Sequence, residues 1–245
     1  MKKKVSITID KDLLNQIEEI AKKQGTNRSK YIEKIVMKHS RQIPVLILAA
    51  KSKLEGVDKS LLEWNGKKVI NHQIDYIKNQ GFNDIYVSTD SQKLRSYLEK
   101  KQPEVSILFE QEKLGSGGSL KAHAEKLGRK FVYMYCDILF DLNLNKLVNF
   151  HLRNKSLLTL VLKSMKNPSK YGVAIMEGSK IDKFEEKPEK AHSHLVYIGV
   201  GIMDPEMASK LETGKFELQL NNLENKYGYI YEKYWRTFDK SGDFD

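Results

Sequence analysis

The chain holds one cysteine, Cys136, among its 245 residues. A single thiol excludes an intrachain disulfide framework and most cysteine-based metal sites, so Cys136 reads as a buried small hydrophobe. No apolar run approaches the ~20 residues that a membrane span needs. Met1-Lys2-Lys3-Lys4 leads into an alternating segment rather than the apolar core of a signal peptide. The expectation is therefore a cytoplasmic protein with no membrane partner. No internal repeat or low-complexity stretch appears either. His192 and His194 share one side of an extended segment, but no third ligand stands near them in sequence, which argues against zinc.

What is present divides unevenly. At 40% hydrophobic and 30% charged residues, the chain has room for a small module plus one domain of about 200 residues with a full core. Residues 1–42 contain eleven Lys/Arg against five Asp/Glu, a net of +6 out of the total +10. The remaining four-fifths of the chain supplies only +4. This charge marks the N-terminal segment for an anionic partner, although basic charge alone is not specific.

That segment reads as one alternating strand, Lys3 to Ile9, followed by two amphipathic helices joined at Gly25-Thr26-Asn27. Val5, Ile7 and Ile9 fall on one face of the strand and Lys4, Ser6 and Thr8 on the other. Asp10 is a candidate N-cap for the first helix, whose Leu13, Ile17, Ile20 and Ala21 keep helical spacing. Gly25 ends it, and Asn27 caps a second helix with Tyr31, Ile32, Ile35 and Val36 as its apolar stripe. A lone strand and so small a core call for a second copy, which predicts a homodimer, or a dimer of dimers, with a paired ribbon.

In order of elements, residues 1–42 resemble the ribbon-helix-helix DNA-binding family. The resemblance implies that the paired ribbon lies in the DNA major groove, with Lys4, Ser6 and Thr8 at the bases. It also implies that Arg28, Ser29 and the free N–H groups opening the second helix hold a phosphate. The plainer reading is a dimerising clasp with solvated lysines.

From Pro44 onward the pattern changes. Val45-Leu46-Ile47-Leu48-Ala49-Ala50 is a continuous apolar run, as expected of a strand buried on both faces of a parallel sheet. A helix from Val69 to Gln80 follows, then a strand Ile85 to Thr89, a helix Gln92 to Lys100 and a strand Val105 to Phe109. A helix Ser119 to Leu127 and a strand Phe131 to Tyr135 continue the alternation, and the last third is richer in strands. This order predicts a doubly wound, Rossmann-like mixed sheet over residues 43–245, with ligands beyond the carboxyl ends of its strands.

Six segments in order make residues 44–239 similar to the nucleotidyltransferases that join a nucleoside triphosphate to a sugar phosphate and release pyrophosphate. They are Leu48-Ala49-Ala50 with Gly56-Val57-Asp58-Lys59; Glu112 to Leu120, with Gly115, Gly117 and Gly118; Cys136-Asp137; Pro168 to Val173; Phe184-Glu185-Glu186-Lys187-Pro188; and Tyr234-Trp235. The resemblance implies nucleotide contacts at Ala49, Ala50, Lys51, Lys53, Lys59 and the three glycines, and sugar-phosphate contacts at Glu186 and Lys187. Asp137 is implied as a Mg²⁺ ligand and, with Lys59 and Lys187, as catalytic. Such chemistry brings two anions together, so its site needs cations and a metal more than a base. The glycines are expected to let backbone approach the nucleotide closely.

Two positions depart from the family pattern. After the first strand, Lys51-Ser52-Lys53-Leu54-Glu55-Gly56 replaces a longer glycine-rich loop bearing an arginine. Two residues beyond Trp235, Thr237 stands where many members carry a second metal-binding aspartate, leaving Asp239 as the substitute. The shortened loop favours a DNA-binding regulator whose second domain binds a nucleotide or sugar phosphate. An active nucleotidyltransferase dimerised by its first module is the alternative, and a fusion with neither activity is the third reading.

Overall fold

The computed structural model describes residues 8–40, 43–50, 53–54 and 56–238. The chain divides into two compact units, Met1–Gln42 and Ile43–Asp245.

In the first unit Asp10 caps the helix Lys11–Lys23 by accepting from the N–H groups of Asp12 and Leu13, and Gly25 adopts a φ of +64° just after it. Asn27 caps the helix Arg28–Ser40 through the Lys30 N–H at 2.9 Å. Ala21 is buried, and Tyr31, Ile32 and Ile35 are half-buried. Leu13 and Ile20, expected in the apolar stripe, are 50% and 40% exposed in the single chain. The anticipated strand, with Lys4 and Ser6, lies outside the described residues. Thr8 and Ile9 belong to no regular element.

The second unit is built on a nine-stranded mixed sheet. From one edge the strands run Leu158–Ser164, Lys226–Ile230, Lys180–Glu186, Gly172–Glu177, Leu195–Met203, Phe131–Tyr135, Val45–Leu48, Ile85–Thr89 and Ser106–Phe109. The last four are mutually parallel, and Leu195–Met203 runs antiparallel to Phe131–Tyr135. Leu195–Met203 also pairs with Leu158–Ser164, bending across a register shift between Leu160 and Leu162.

Alternation along the central strand separates two cores. Val45 and Ile47 pack with Ile70, Ile74, Leu94 and Leu147, from the helices Val69–Asn79, Gln92–Lys101 and Leu144–Arg153. Leu46 and Leu48 pack with Leu120, Ala124 and Phe216 on the other face. Both faces are covered, which is why the strand carries no polar residue.

Two elements differ from the sequence reading. Gly115–Leu127 is helical from its first glycine, four residues earlier than expected, because the 212–214 loop packs against that turn. The helix Leu144–Arg153 escaped notice. Asn143 caps it through the Lys146 N–H, and Leu144, Leu147, Val148 and His151 form its buried stripe.

Candidate active site

The carboxyl ends of the parallel strands open into a cleft of about 580 Å³. Ala50 lies beyond the first strand, Glu110 beyond Ser106–Phe109, and Tyr135 and Asp137 at the end of Phe131–Tyr135. Lys53 and Lys59 line the same cleft, as do Gly115, Glu186 and Lys187. Tertiary structure thus brings residues from all six sequence segments to one cleft, Lys170, Tyr171 and Gly172 from the fourth and Trp235 from the sixth included.

Lys59 opens a short 3-10 turn directly after the paired strands Lys53–Leu54 and Val57–Asp58. Its neighbour Asp58 is buried and accepts the Ser91 hydroxyl at 2.7 Å, which fixes the turn. Lys59 Nζ then reaches Asp137 Oδ2 at 2.8 Å, both side chains being about one-seventh exposed. An ammonium ion already sits on the carboxylate implied as a metal ligand. The strand Trp235–Thr237 pairs antiparallel with Ile138–Phe140, and the Phe238 N–H donates to the Asp137 carbonyl at 2.9 Å. Thr237 is therefore in the cleft wall beside Asp137. Asp239 and Lys51 lie outside the described residues.

Lys187 is in the left-handed region at φ +45°, with its N–H donating to the Tyr171 carbonyl at 3.1 Å. A non-glycine residue there is strained, and such strain concentrates at sites where direction matters. We expect Lys187→Gly to leave the unfolding free energy unchanged or raise it by up to about 1 kcal/mol, while affinity for a phosphorylated ligand falls. Urea denaturation beside an isotherm with inorganic phosphate separates the two effects.

The glycines have a different explanation from the one expected. A Cβ on Gly117 would meet the Glu212 carbonyl at 2.8 Å, and one on Gly118 would meet Leu114 Cβ at 3.0 Å and Thr213 Cα at 3.3 Å. Gly115, at φ +68°, would meet the Gly214 backbone at 2.5 Å. All three make room for the 212–214 loop. Only Gly115 also lines the cleft, and Ala49, Gly117 and Gly118 are buried behind it.

Glu110 was not singled out from the sequence. It is buried and accepts hydrogen bonds from Ser88 and from His123 Nε2, the latter at 3.1 Å. Burial pushes its carboxyl up, but the hydrogen bonds from His123, Ser88 and Ser119 together outweigh this and hold it below the ordinary range. A depressed carboxyl contributes stability above its unfolded-state pKa, and loses it as pH falls through the folded value. Glu110→Ala should therefore cost about 3 kcal/mol near neutrality, by stranding His123 and Ser88. It should also flatten the acid limb of the stability profile, both effects being read from urea unfolding at several pH values.

Lys170, Tyr171 and Trp235 also line the cleft from segments that carried the resemblance, whereas Tyr197, Lys215 and Glu217 do so with little sequence signal. Glu186 is held above the usual carboxylate range by burial and by the Glu217 charge, with Lys187 and Lys215 acting against this. Elsewhere, His192 bonds Glu185 and His194 bonds the Met165 carbonyl. Among the described residues no group of three or more His, Cys, Asp or Glu is placed to hold a metal. No helix among them is long and apolar enough to cross a membrane.

Comparison with known proteins shows the family and the fold. The family model described as nucleotidyl transferase matches residues 55–244, and that described as ribbon-helix-helix protein, copG family, matches residues 3–40. The chain belongs to the nucleotidyl transferase family and carries a ribbon-helix-helix module ahead of that domain. A mannose-1-phosphate guanyltransferase of Yarrowia lipolytica is 29% identical over 203 residues, covering 76% of this chain and 56% of the relative. A probable mannose-1-phosphate guanylyltransferase of Arabidopsis thaliana is 22% identical, with 76% and 62% covered. The chain thus spans a little over half the length of these relatives. Among solved structures, HddC from Yersinia pseudotuberculosis superposes with a TM-score of 0.71 at 20% identity, covering 82% of this chain and 96% of that one. The same protein has been crystallised with GMP-PN. A glucose-1-phosphate thymidylyltransferase from Bacillus anthracis, itself described as putative, gives 0.69 at 21% identity, with 82% and 92% covered.

Proposed function

We propose that the second domain is a nucleotidyltransferase that joins a nucleoside triphosphate to a sugar 1-phosphate and releases pyrophosphate. The observation that carries this reading is that Lys53, Lys59, Lys170, Lys187 and Lys215 all line the cleft that also holds Asp137. A ring of cations suits two anions that must approach each other. Relatives named as mannose-1-phosphate guanyltransferases support the same class.

In this mechanism a phosphate oxygen of the sugar phosphate attacks the α-phosphorus, the bond to the β-phosphate oxygen breaks, and pyrophosphate leaves. Lys187 holds the attacking phosphate, Lys59 offsets the charge that builds on the nucleotide, and Lys53 receives the outer phosphates. A Mg²⁺ ion is bound by one or two carboxylates together with substrate phosphates. Asp137 meets that requirement, because its carboxylate faces the cleft and already holds a cation. Asp137 would be the residue to hold such an ion, which would supply Lewis-acid stabilisation of phosphoryl charge. A pyrophosphate-release assay with four triphosphates and mannose, glucose and galactose 1-phosphates tests the reading. Release above background, absent in Asp137→Ala, supports it; none with any pair rejects it.

For the first unit we propose homodimerisation and DNA binding. Exposed Leu13 and Ile20 on the helix Lys11–Lys23 support a second copy as their cover. Arg28 is held by Glu18 at 2.7 Å with both side chains nearly half exposed, so a DNA phosphate must compete with Glu18. A regulator whose ligand tunes operator affinity is the second reading, favoured by Thr237 at the place of a metal-binding carboxylate. Gel shifts at several salt concentrations should show affinity falling steeply with salt, uniformly weakened in Arg28→Ala. Indifference to DNA at low salt would reduce the module to a clasp.

A further inference from the structure

A second set of residues lines the same cleft as the Lys59 and Asp137 pair. Glu217 begins the short helix Glu217–Asn222, and the Tyr135 hydroxyl donates to its Oε1 at 2.6 Å. Glu186 is half-buried at the end of its strand, and its carboxylate has no hydrogen bond or ion pair to a side chain among the described residues. Gly172 gives it space, since a Cβ there would lie 2.9 Å from Glu186 Oε2. Gly199, at φ +81°, likewise leaves room for the Tyr135 ring, whose atom Cδ2 a Cβ would meet at 2.9 Å. The Tyr197 hydroxyl is buried in the same wall without a partner of hydrogen-bond geometry, although the Tyr133 hydroxyl is nearby.

Two carboxylates near enough to perturb each other, in a partly desolvated wall, are unfavourable unless donors come between them. Lys187 and Lys215 flank the pair and form no ion pair among the described residues. The segment that brings Lys215 and Glu217 into place is rigidly tied to the start of the helix Gly115–Leu127. The Gly117 N–H donates to the Gly214 carbonyl and the Gly214 N–H to the Leu114 carbonyl, both at 2.8 Å, and the Phe216 N–H donates to Ser116 Oγ at 2.9 Å. A carboxylate held this firmly, with one oxygen already satisfied, is set to accept through the other.

We propose that Glu217, oriented by Tyr135, is a second reader of the acceptor substrate, pairing with Glu186 so that the cleft takes a polyhydroxylated phosphate whose hydroxyls donate to both carboxylates. This rests on the nucleotidyltransferase reading and deepens it. Glu217 is a specificity residue and Tyr135 a positioning residue.

Isothermal titration of the full chain with mannose 1-phosphate, with methyl phosphate and, separately, with GTP and Mg²⁺ tests the inference. Wild type should bind mannose 1-phosphate about 100-fold more tightly than methyl phosphate, a range open to hydrogen-bonded recognition. Glu217→Gln should narrow this preference to about tenfold, with methyl phosphate bound as tightly or more tightly because a negative charge has gone. Tyr135→Phe keeps that charge and should narrow the preference by a smaller factor of about three. GTP affinity should be unchanged in both variants, which excludes general unfolding. An unaltered preference in Glu217→Gln, or equal weakening of all three ligands, overturns the inference and leaves the nucleotidyltransferase reading intact. If wild type binds GTP but mannose, glucose and galactose 1-phosphates no better than methyl phosphate, the sugar-phosphate acceptor falls, and the inference falls with it.

Discussion

If the proposed activity holds, replacing Lys59 with Met should lower pyrophosphate release by roughly a thousandfold, the upper range for removing one preorganised group that stabilises transition-state charge. Lys59→Arg recovers only part of this, because a guanidinium is longer and planar where the 2.8 Å contact with Asp137 calls for a compact ammonium. Asp137→Ala is at least as damaging, since it removes the carboxylate that would hold Mg²⁺ and also frees Lys59 to move. The double variant loses far less than the product of the two single losses, because the residues act as one unit. Single-turnover rates with saturating triphosphate check all three outcomes. Additive losses would show that the ion pair is incidental to turnover.

The second large effect is structural. Gly115→Ala places a Cβ 2.5 Å from the Gly214 carbonyl oxygen at a φ of +68°. Gly128, the C-cap of the same helix, has nearly the same φ of +61° but nothing within 4 Å of a built Cβ. Gly128→Ala therefore reports the backbone term alone, about 1 kcal/mol. Gly115→Ala adds steric displacement of neighbouring backbone, for a total of about 3 kcal/mol. The displaced segment carries Lys215 and Glu217, so phosphate affinity falls in Gly115→Ala and holds in Gly128→Ala. Urea midpoints and phosphate isotherms on the pair give the comparison. Equal midpoints would show that the 212–214 loop yields without cost.

Much of the molecule was legible from local chemistry. Asp10 and Asn27 cap the two N-terminal helices as their side chains dictate. Val45–Leu48, with no polar residue, is a strand buried on both faces, as expected. Lys59, Asp137, Glu186 and Lys187 were identified because they sit in short ordered segments, and the fold gathers all four in one cleft.

The missed residues share a physical cause. Leu144–Arg153 follows directly on the Cys136–Asp141 segment, and its short apolar stripe stands out only once Asn143 is seen to cap it. Glu110 looks like one more charge in an acidic run, and its burial depends on Ser88 and His123 arriving from other elements. Glu217 and Lys215 lie in a segment without periodicity, and nothing local says that they face Glu186.

The sequence by itself determined the order of two units, most strands and helices of the second, and the identity of several charged groups that the fold gathers in the cleft. Periodicity, caps and short motifs are local, so one chain read in order is enough to find them. Only tertiary structure decided that Lys59 rests on Asp137, that three glycines make room for the 212–214 loop, and that Glu186 and Glu217 line one cleft. These contacts join residues far apart in the chain, and their geometry is set by which strands pair and which backbones can approach, a property of the packed whole.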